Sequence, residues 1–266
     1  MRFPLYQVDA FTRTPLAGNP AAVVPLDAWP EDDLLQRIAN ENNLSETAFF
    51  VKKGPGRYHL RWMTPTMEVS LCGHATLATT HVLFTELERA PSGEVVFESR
   101  SGELPVTRAA DGRVTMDFPS DRPVPIPTPR AVVKALRREP REVVQAWPYV
   151  AVFDDAALVR GLEPDMGVLL HEVDRGAVIA TAPGDEAGVD FVSRFFGPQV
   201  GVPEDPVTGS AHCTLGPYWS ERLGRRALVA RQVSARGGEL FVEDDGARTK
   251  VGGYGVTVLR GTLDVG

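Results

Sequence analysis

Arg61-Trp62-Met63-Thr64-Pro65 and Arg194-Phe195-Phe196-Gly197-Pro198 stand in opposite halves of a 266-residue chain and are followed by the same punctuation. Gly73-His74-Ala75 comes eight residues after Pro65, and Gly209-Ser210-Ala211 comes eleven after Pro198. Each reads as a strand, a Pro turn, a loop, and then Gly-polar-Ala opening an apolar helix. One such unit in each half points to two related lobes. Length agrees, since roughly 150 residues per domain makes this about two domains. If the lobes face each other, two helix N-termini point into one cleft. Their free amides and positive dipole ends then form an anion site without Arg or Lys.

Outward from the repeat, residues 3–9 and 21–26 read as strands around the turn Thr14-Pro15-Leu16-Ala17-Gly18-Asn19-Pro20. A helix follows, with Pro30 suited to its first position, Leu34, Leu35, Ile38 and Ala39 on one face, and Asn42-Asn43 at its end. Strands are expected at 46–51 and 57–63, the first with Thr47, Phe49 and Val51 on one face and Glu46, Ala48 and Phe50 on the other. A helix over 73–87 precedes three short strands near 94–99, 103–108 and 113–118. Five prolines between Pro119 and Pro129 mark a stiff linker. The expected division is 1–118, joined by the last strand near 254–266, then the linker 119–129, then 130–253. In the second lobe the pattern predicts helices near 130–137 and 154–162 and one starting at Gly209. It predicts strands near 142–152, 167–181 and 188–195, and strands to the end.

The formal net charge is −7 with no basic run, which argues against a nucleic-acid or anionic-membrane surface. No stretch approaches 18 consecutive apolar residues, and Met1–Asp9 carries no apolar signal core, so a cytoplasmic location is expected. Cys72 and Cys213 are the only cysteines, too few for a disulfide framework or a four-cysteine zinc site. The glycine-rich nucleotide motifs and His-Glu-x-x-His are absent, so neither a cofactor nor a metal is expected. His74 and His81 could share a helix face, but two histidines alone make a poor metal site.

Three places carry side chains suited to chemistry. Glu46 leads an apolar strand. It is either an exposed strand-end charge or a carboxylate on a cleft wall, where desolvation would raise its pKa and make it a usable acid/base. Cys72-Gly73-His74 precedes a helix and offers a thiol or an imidazole at its N-terminus, unless both merely pack. Glu204-Asp205-Pro206-Val207-Thr208-Gly209-Ser210 is either a surface turn or a loop that projects Asp205 toward the same cleft as Glu46.

Read together, these blocks resemble the signatures of a known family. Asp9-Ala10-Phe11-Thr12, Gly18-Asn19-Pro20-Ala21-Ala22-Val23-Val24, Asn43-Leu44-Ser45-Glu46-Thr47-Ala48-Phe49, Cys72-Gly73-His74-Ala75-Thr76-Leu77 and Glu204–Ala211 are similar to those of the PhzF-like isomerases, named for an enzyme of phenazine biosynthesis. They fall in order over nearly the whole chain, and Gly253-Tyr254-Gly255-Val256 and Arg260-Gly261-Thr262 resemble the family's final strands. The resemblance implies the α+β diaminopimelate-epimerase-like fold: two similar lobes, each a curved, mostly antiparallel sheet around a central helix. It implies a cofactor-free proton shift on a small anionic, carboxylate-bearing metabolite. The catalytic Glu falls on Glu46, its supporting His and Asp on His74 and Asp205. The substrate-binding helix starts fall on Gly73 and on Gly209-Ser210, with Asn19 and Ser45 near the site. The wider superfamily contains racemases with two opposed cysteines; Cys72 matches the first, whereas Thr208 stands at the second. The expectation is therefore an isomerase, as a homodimer, with no membrane or nucleic-acid partner. The rival readings are an amino-acid-type racemase or epimerase using Cys72 and a non-catalytic small-molecule-binding protein of the same fold.

Overall fold

The computed structural model describes residues 1–87 and 93–266, and the chain divides into one unit of residues 1–117 and 252–266 and a second of residues 118–251. In chain order the first unit contains β1 (Arg2–Ala10), β2 (Asn19–Leu26), α1 (Asp32–Asn42), β3 (Glu46–Gly54), β4 (Arg57–Met63), β5 (Glu68–Val69), α2 (Gly73–Thr85), β6 (Glu94–Ser99), β7 (Gly102–Arg108) and most of β8 (Val114–Pro119). The second contains β9 (Val124–Ile126), α3 (Arg130–Leu136), β10 (Glu142–Gln145), β11 (Tyr149–Val152), α4 (Ala156–Arg160), α5 (Met166–His171), β12 (Val178–Pro183), β13 (Phe191–Gly197), β14 (Val202–Asp205), α6 (His212–Leu223), β15 (Ala227–Gln232), β16 (Gly238–Asp245) and most of β17 (Arg248–Gly253). The chain then returns to the first unit as β18 (Gly255–Asp264), antiparallel to β1 with Arg2 opposite Asp264.

The two units share one strand grammar. In the first, β1 is antiparallel to β2, β2 runs parallel to β3 across α1, β3 is antiparallel to β4, and β4 runs parallel to β6 across α2. In the second, β10 is antiparallel to β11, and β11 runs parallel to β12 across α4 and α5. Next, β12 is antiparallel to β13, and β13 runs parallel to β15 across α6. Even the short strands correspond, β5 lying antiparallel on β4 and β14 on β13. The repeated Arg-aromatic-x-x-Pro stretch thus marks β4 and β13, and the repeated Gly-polar-Ala marks the approach to α2 and α6.

Helix α2 is buried on nearly every side, as a helix apolar all round must be. Its threonines lie inside because their hydroxyls bond back within the helix, Thr76 to Cys72 O, Thr79 to Ala75 O and Thr80 to Thr76 O. Helix α1 covers the other face of the same strands: Leu35, Ile38 and Ala39 pack with Val24, Phe49 and Met63. Side chains alternate along a strand, so Phe49 facing α1 turns Glu46, Ala48 and Phe50 to the opposite face. In the second unit, α3, α4 and α5 bury Val132, Val159 and Leu169 against Val143, Ala151, Val178 and Phe196. Helix α6 keeps Pro217 in its interior. The missing Pro N–H would leave Cys213 O without its helical donor, and that oxygen accepts instead from Asp121 N at 3.1 Å and Thr249 Oγ1 at 3.5 Å.

Four sequence expectations are corrected. Residues 167–181 are not one strand. Met166–His171 is helical because the Asp165 side chain caps it, accepting from Val168 N, and only Val178–Pro183 is extended. The strand expected over 142–152 breaks at 146–148 into the hairpin of β10 and β11. Pro30 precedes α1 instead of opening it; Glu31 is the N-cap. Helix α6 starts at His212, not at Gly209. Residues 209–211 form a tighter turn in which His212 N bonds Gly209 O and Cys213 N bonds Ser210 O. The proline-rich segment 119–129 carries β9, paired with β10, and clusters with the second unit. No helix among the described residues is long and apolar enough to cross a membrane.

Candidate active site

In the first unit the site is built where β3 begins and α2 begins. Glu46 is the first residue of β3, opposite Ala21 of β2 in parallel register, so Asn19, the first residue of β2, stands at the same strand end. Cys72 is the N-cap of α2 with extended backbone and no side-chain capping bond, and Gly73 and His74 form its first turn. His74 is buried, and its imidazole lies between two groups. Nε2 is 3.2 Å from Glu46 Oε2, and Nδ1 is 3.5 Å from Cys72 Sγ. The Glu46 oxygen lies off the N–H direction, so the first contact is an electrostatic approach and not a formed hydrogen bond. Burial pushes the His74 imidazole down to about 3, so the ring is neutral at ordinary pH. A neutral ring with one proton on Nε2 and an acceptor at Nδ1 matches a carboxylate on one side and a thiol on the other. Glu46 itself keeps 18% of its side chain exposed, so it is open to a ligand.

In the second unit Asp205 ends β14, and residues 206–211 carry the chain into α6. Asp205 Oδ2 accepts from Thr208 Oγ1 at 2.5 Å. Gln232, 1% exposed at the end of β15, holds the turn from behind. Its Nε2 donates to Asp205 O at 2.7 Å and Thr208 Oγ1 at 3.2 Å, and its Oε1 accepts from Thr208 N at 2.8 Å. Ser234 Oγ donates to Pro206 O. Beneath the turn, His212 is fully buried. Its Nδ1 meets Thr208 O at 2.8 Å, and its ring stacks on Phe191 at 5.8 Å between centroids. Desolvation pushes His212 down to about 4 despite that hydrogen bond, so it too is neutral. Thr208 and Gly209 are buried, and Ser210 is exposed.

The structure therefore gathers Glu46, Cys72, Gly73 and His74 in one unit, with Asn19 at the same sheet end and half-buried Ser45 adjoining Glu46 in sequence. It gathers Asp205, Thr208, Gly209 and Ser210 in the other. His81 is no partner of His74 in a metal pair, since its Nε2 bonds Thr257 Oγ1. Cys213 is buried inside α6. Sequence reasoning missed Gln232. The only available signal was an amide at a position where β15 alternates toward the interior, which is too common to single out.

Two α+β units of matching topology, each with a helix opening beside a short polar strand end, make up a fold that solved epimerases and racemases share. A solved hydroxyproline epimerase from Agrobacterium vitis shares it at a TM-score of 0.61 and 13% identity, covering 98% of this chain and 92% of that one. At that identity the likeness concerns the fold alone. The chain belongs to the phenazine biosynthesis-like (PhzC/PhzF) protein family, whose model matches residues 8–261. An "uncharacterized isomerase" of Pseudomonas aeruginosa is 49% identical over 263 residues, covering 99% of both chains. A crystal structure of a PhzF-family phenazine biosynthesis protein from Enterococcus faecalis superposes with a TM-score of 0.95 at 43% identity, covering 100% of both.

Proposed function

We propose that the protein is an isomerase that moves a proton on a small carboxylate-bearing metabolite, with Glu46 as the acid/base. The observation that carries this reading is Glu46 Oε2, partly exposed, 3.2 Å from the buried neutral ring of His74 at the N-terminus of α2. A carbon acid needs a base held against its C–H bond. Glu46 is held by β3 and flanked by an imidazole that can follow its change of charge without becoming an imidazolium. The first amides of α2 and its positive dipole end suit a substrate carboxylate and the negative charge that develops as the proton leaves. Asp205, fixed by Thr208 and Gln232, takes a supporting role in orienting substrate. The names of the relatives support isomerase chemistry and leave the substrate open.

A second reading rests on Cys72. Its Sγ lies 3.5 Å from His74 Nδ1 at a helix N-terminus, the setting of an activated thiol. Two-base racemisation needs an opposing acid, and the matching position is Thr208, whose hydroxyl donates to Asp205. An alkyl hydroxyl committed to a carboxylate is a poor proton donor to carbon, so the carboxylate reading is favoured. The test is a panel of small carboxylic acids incubated with the protein in D2O and followed by proton NMR. An isomerase of this kind exchanges one carbon-bound proton of its substrate with solvent and shifts it. A binder that stabilises the protein against melting yet shows no exchange would make this a non-catalytic member of the fold.

A further inference from the structure

The cluster that reads as a base and its neighbours also has the composition of a metal site. Glu46, Cys72 and His74 each present one ligand atom, and these atoms lie within 4.8 Å of one another. Among the described residues it is the one group of three His, Cys, Asp or Glu side chains so gathered. Tetrahedral zinc, with bonds of about 2.0 Å to N and O and about 2.3 Å to S, sets its ligand atoms roughly 3.3–3.8 Å apart. The Sγ to Nδ1 distance of 3.5 Å is already in that range, and the Nε2 to Oε2 distance of 3.2 Å lies just below it. One cation uses one ring nitrogen, so capture needs the thiol or the carboxylate to swing by about an ångström, which side-chain rotation alone supplies.

The His74 side chain is 7% exposed, and its Nε2 makes no hydrogen bond while facing the carboxylate oxygen. Thiolate plus imidazole selects a borderline or soft ion over magnesium or calcium, which prefer all-oxygen shells. The partly exposed Glu46 gives a way in, and three protein ligands leave the fourth position open, as in exchangeable sites.

We propose that Glu46, Cys72 and His74 bind one zinc ion per chain, and that the bound ion switches the enzyme off by occupying its base. The binding half stands on the geometry alone; the inhibitory half rests on Glu46 being the base. On binding, the Cys72 S–H proton leaves to solvent and its sulfur lone pair forms the Zn–S bond, with no change of oxidation state.

Cobalt is the probe. Chelator-treated full-length protein titrated with Co2+ should take up one ion per chain and develop a near-ultraviolet thiolate-to-cobalt charge-transfer band, bleached by stoichiometric Zn2+ but not by excess Mg2+. Cys72→Ser should abolish the band, and Cys213→Ser should keep it. Glu46→Gln should keep the band but weaken affinity by more than the roughly 10–100-fold that outer-shell partners command. Absence of the band in wild type at saturating cobalt, its survival in Cys72→Ser, or equal displacement by Mg2+ would overturn the proposal. Melting curves on both site variants establish that they fold. Zinc-loaded protein should cease to exchange substrate protons with solvent; undiminished exchange at full occupancy would overturn the inhibitory half. If metal-free wild type exchanges no proton on any substrate, the isomerase reading has failed, and the cobalt spectrum still decides the binding.

Discussion

Replacing Gln232 with Leu removes the clamp behind Asp205 while nearly conserving volume. Three hydrogen bonds are lost: from Nε2 to Asp205 O and to Thr208 Oγ1, and from Thr208 N to Oε1. The Thr208 amide is buried, so it bears most of the desolvation penalty of an unmade bond, about 1–3 kcal/mol. Asp205 is half-buried and its carbonyl recovers part of its loss from water. Thr208 Oγ1 keeps Asp205 as its acceptor and loses little. The sum is a destabilisation of about 2–4 kcal/mol, read as a lower urea midpoint at unchanged slope. Turnover should fall as well, because residues 205–209 lose the contact that fixes them, while Glu46 and His74 are untouched. Gln232→Glu keeps the acceptor for Thr208 N but turns an anionic oxygen toward Asp205 O, so it should rescue neither property fully. Amide exchange at Thr208 should accelerate in both variants. A Gln232→Leu protein within about 0.5 kcal/mol of wild type, with Thr208 still protected, would refute the clamp.

Further outcomes follow from the same structure. His212 is pushed down to about 4 in the folded protein from an ordinary 6.5, so the unfolded chain binds the extra proton first as pH falls. Its contribution is intact above about pH 6.5 and is lost progressively toward pH 4. Roughly 2 kcal/mol should go between about pH 7.5 and pH 5, and a wild-type urea series that shows no steeper loss than His212→Asn would contradict this. Gly18→Ala places a methyl 2.2 Å from Ala10 O at a φ of +66°, where backbone must move; it should cost about 2 kcal/mol or more, and an unchanged melting temperature would be the contrary result. Cys72→Ser should keep most of the turnover of metal-free enzyme, whereas loss by several orders of magnitude with the fold intact would favour the thiol racemase.

How far the sequence carried depended on whether a signal was local. The Arg-aromatic-x-x-Pro repeat located β4 and β13, because a strand ending in a Pro turn is written in consecutive residues. Phe49 and Val51 were assigned to one face of β3 by alternation alone, and both pack on the α1 side. Helix α5 was not legible: Gly167-Val168-Leu169-Leu170 suits a strand equally well, and the deciding bond, Asp165 to Val168 N, is three-dimensional. The start of α6 was misplaced by three residues because Gly209-Ser210 looks like a helix opening and closes a tighter turn instead. At the site, the types of Glu46, Cys72 and His74 were readable, but the placement of the imidazole between thiol and carboxylate depends on β3 lying beside α2. Gln232 is 24 residues from Thr208 and announces nothing in sequence.

The central claim is that the Glu46 carboxylate carries the proton, and Glu46→Gln tests it most directly. The amide has nearly the same shape and can still hydrogen-bond, but it cannot accept and return a proton. Measured in D2O on a substrate that wild type exchanges, the variant should bind within a few-fold of wild type, lose at least roughly 10²–10⁴ in turnover and stop incorporating deuterium, with Asp205→Asn impaired less completely. Near-normal turnover and deuterium uptake in Glu46→Gln, alongside abolished turnover in Asp205→Asn, would reverse the two roles and contradict the account.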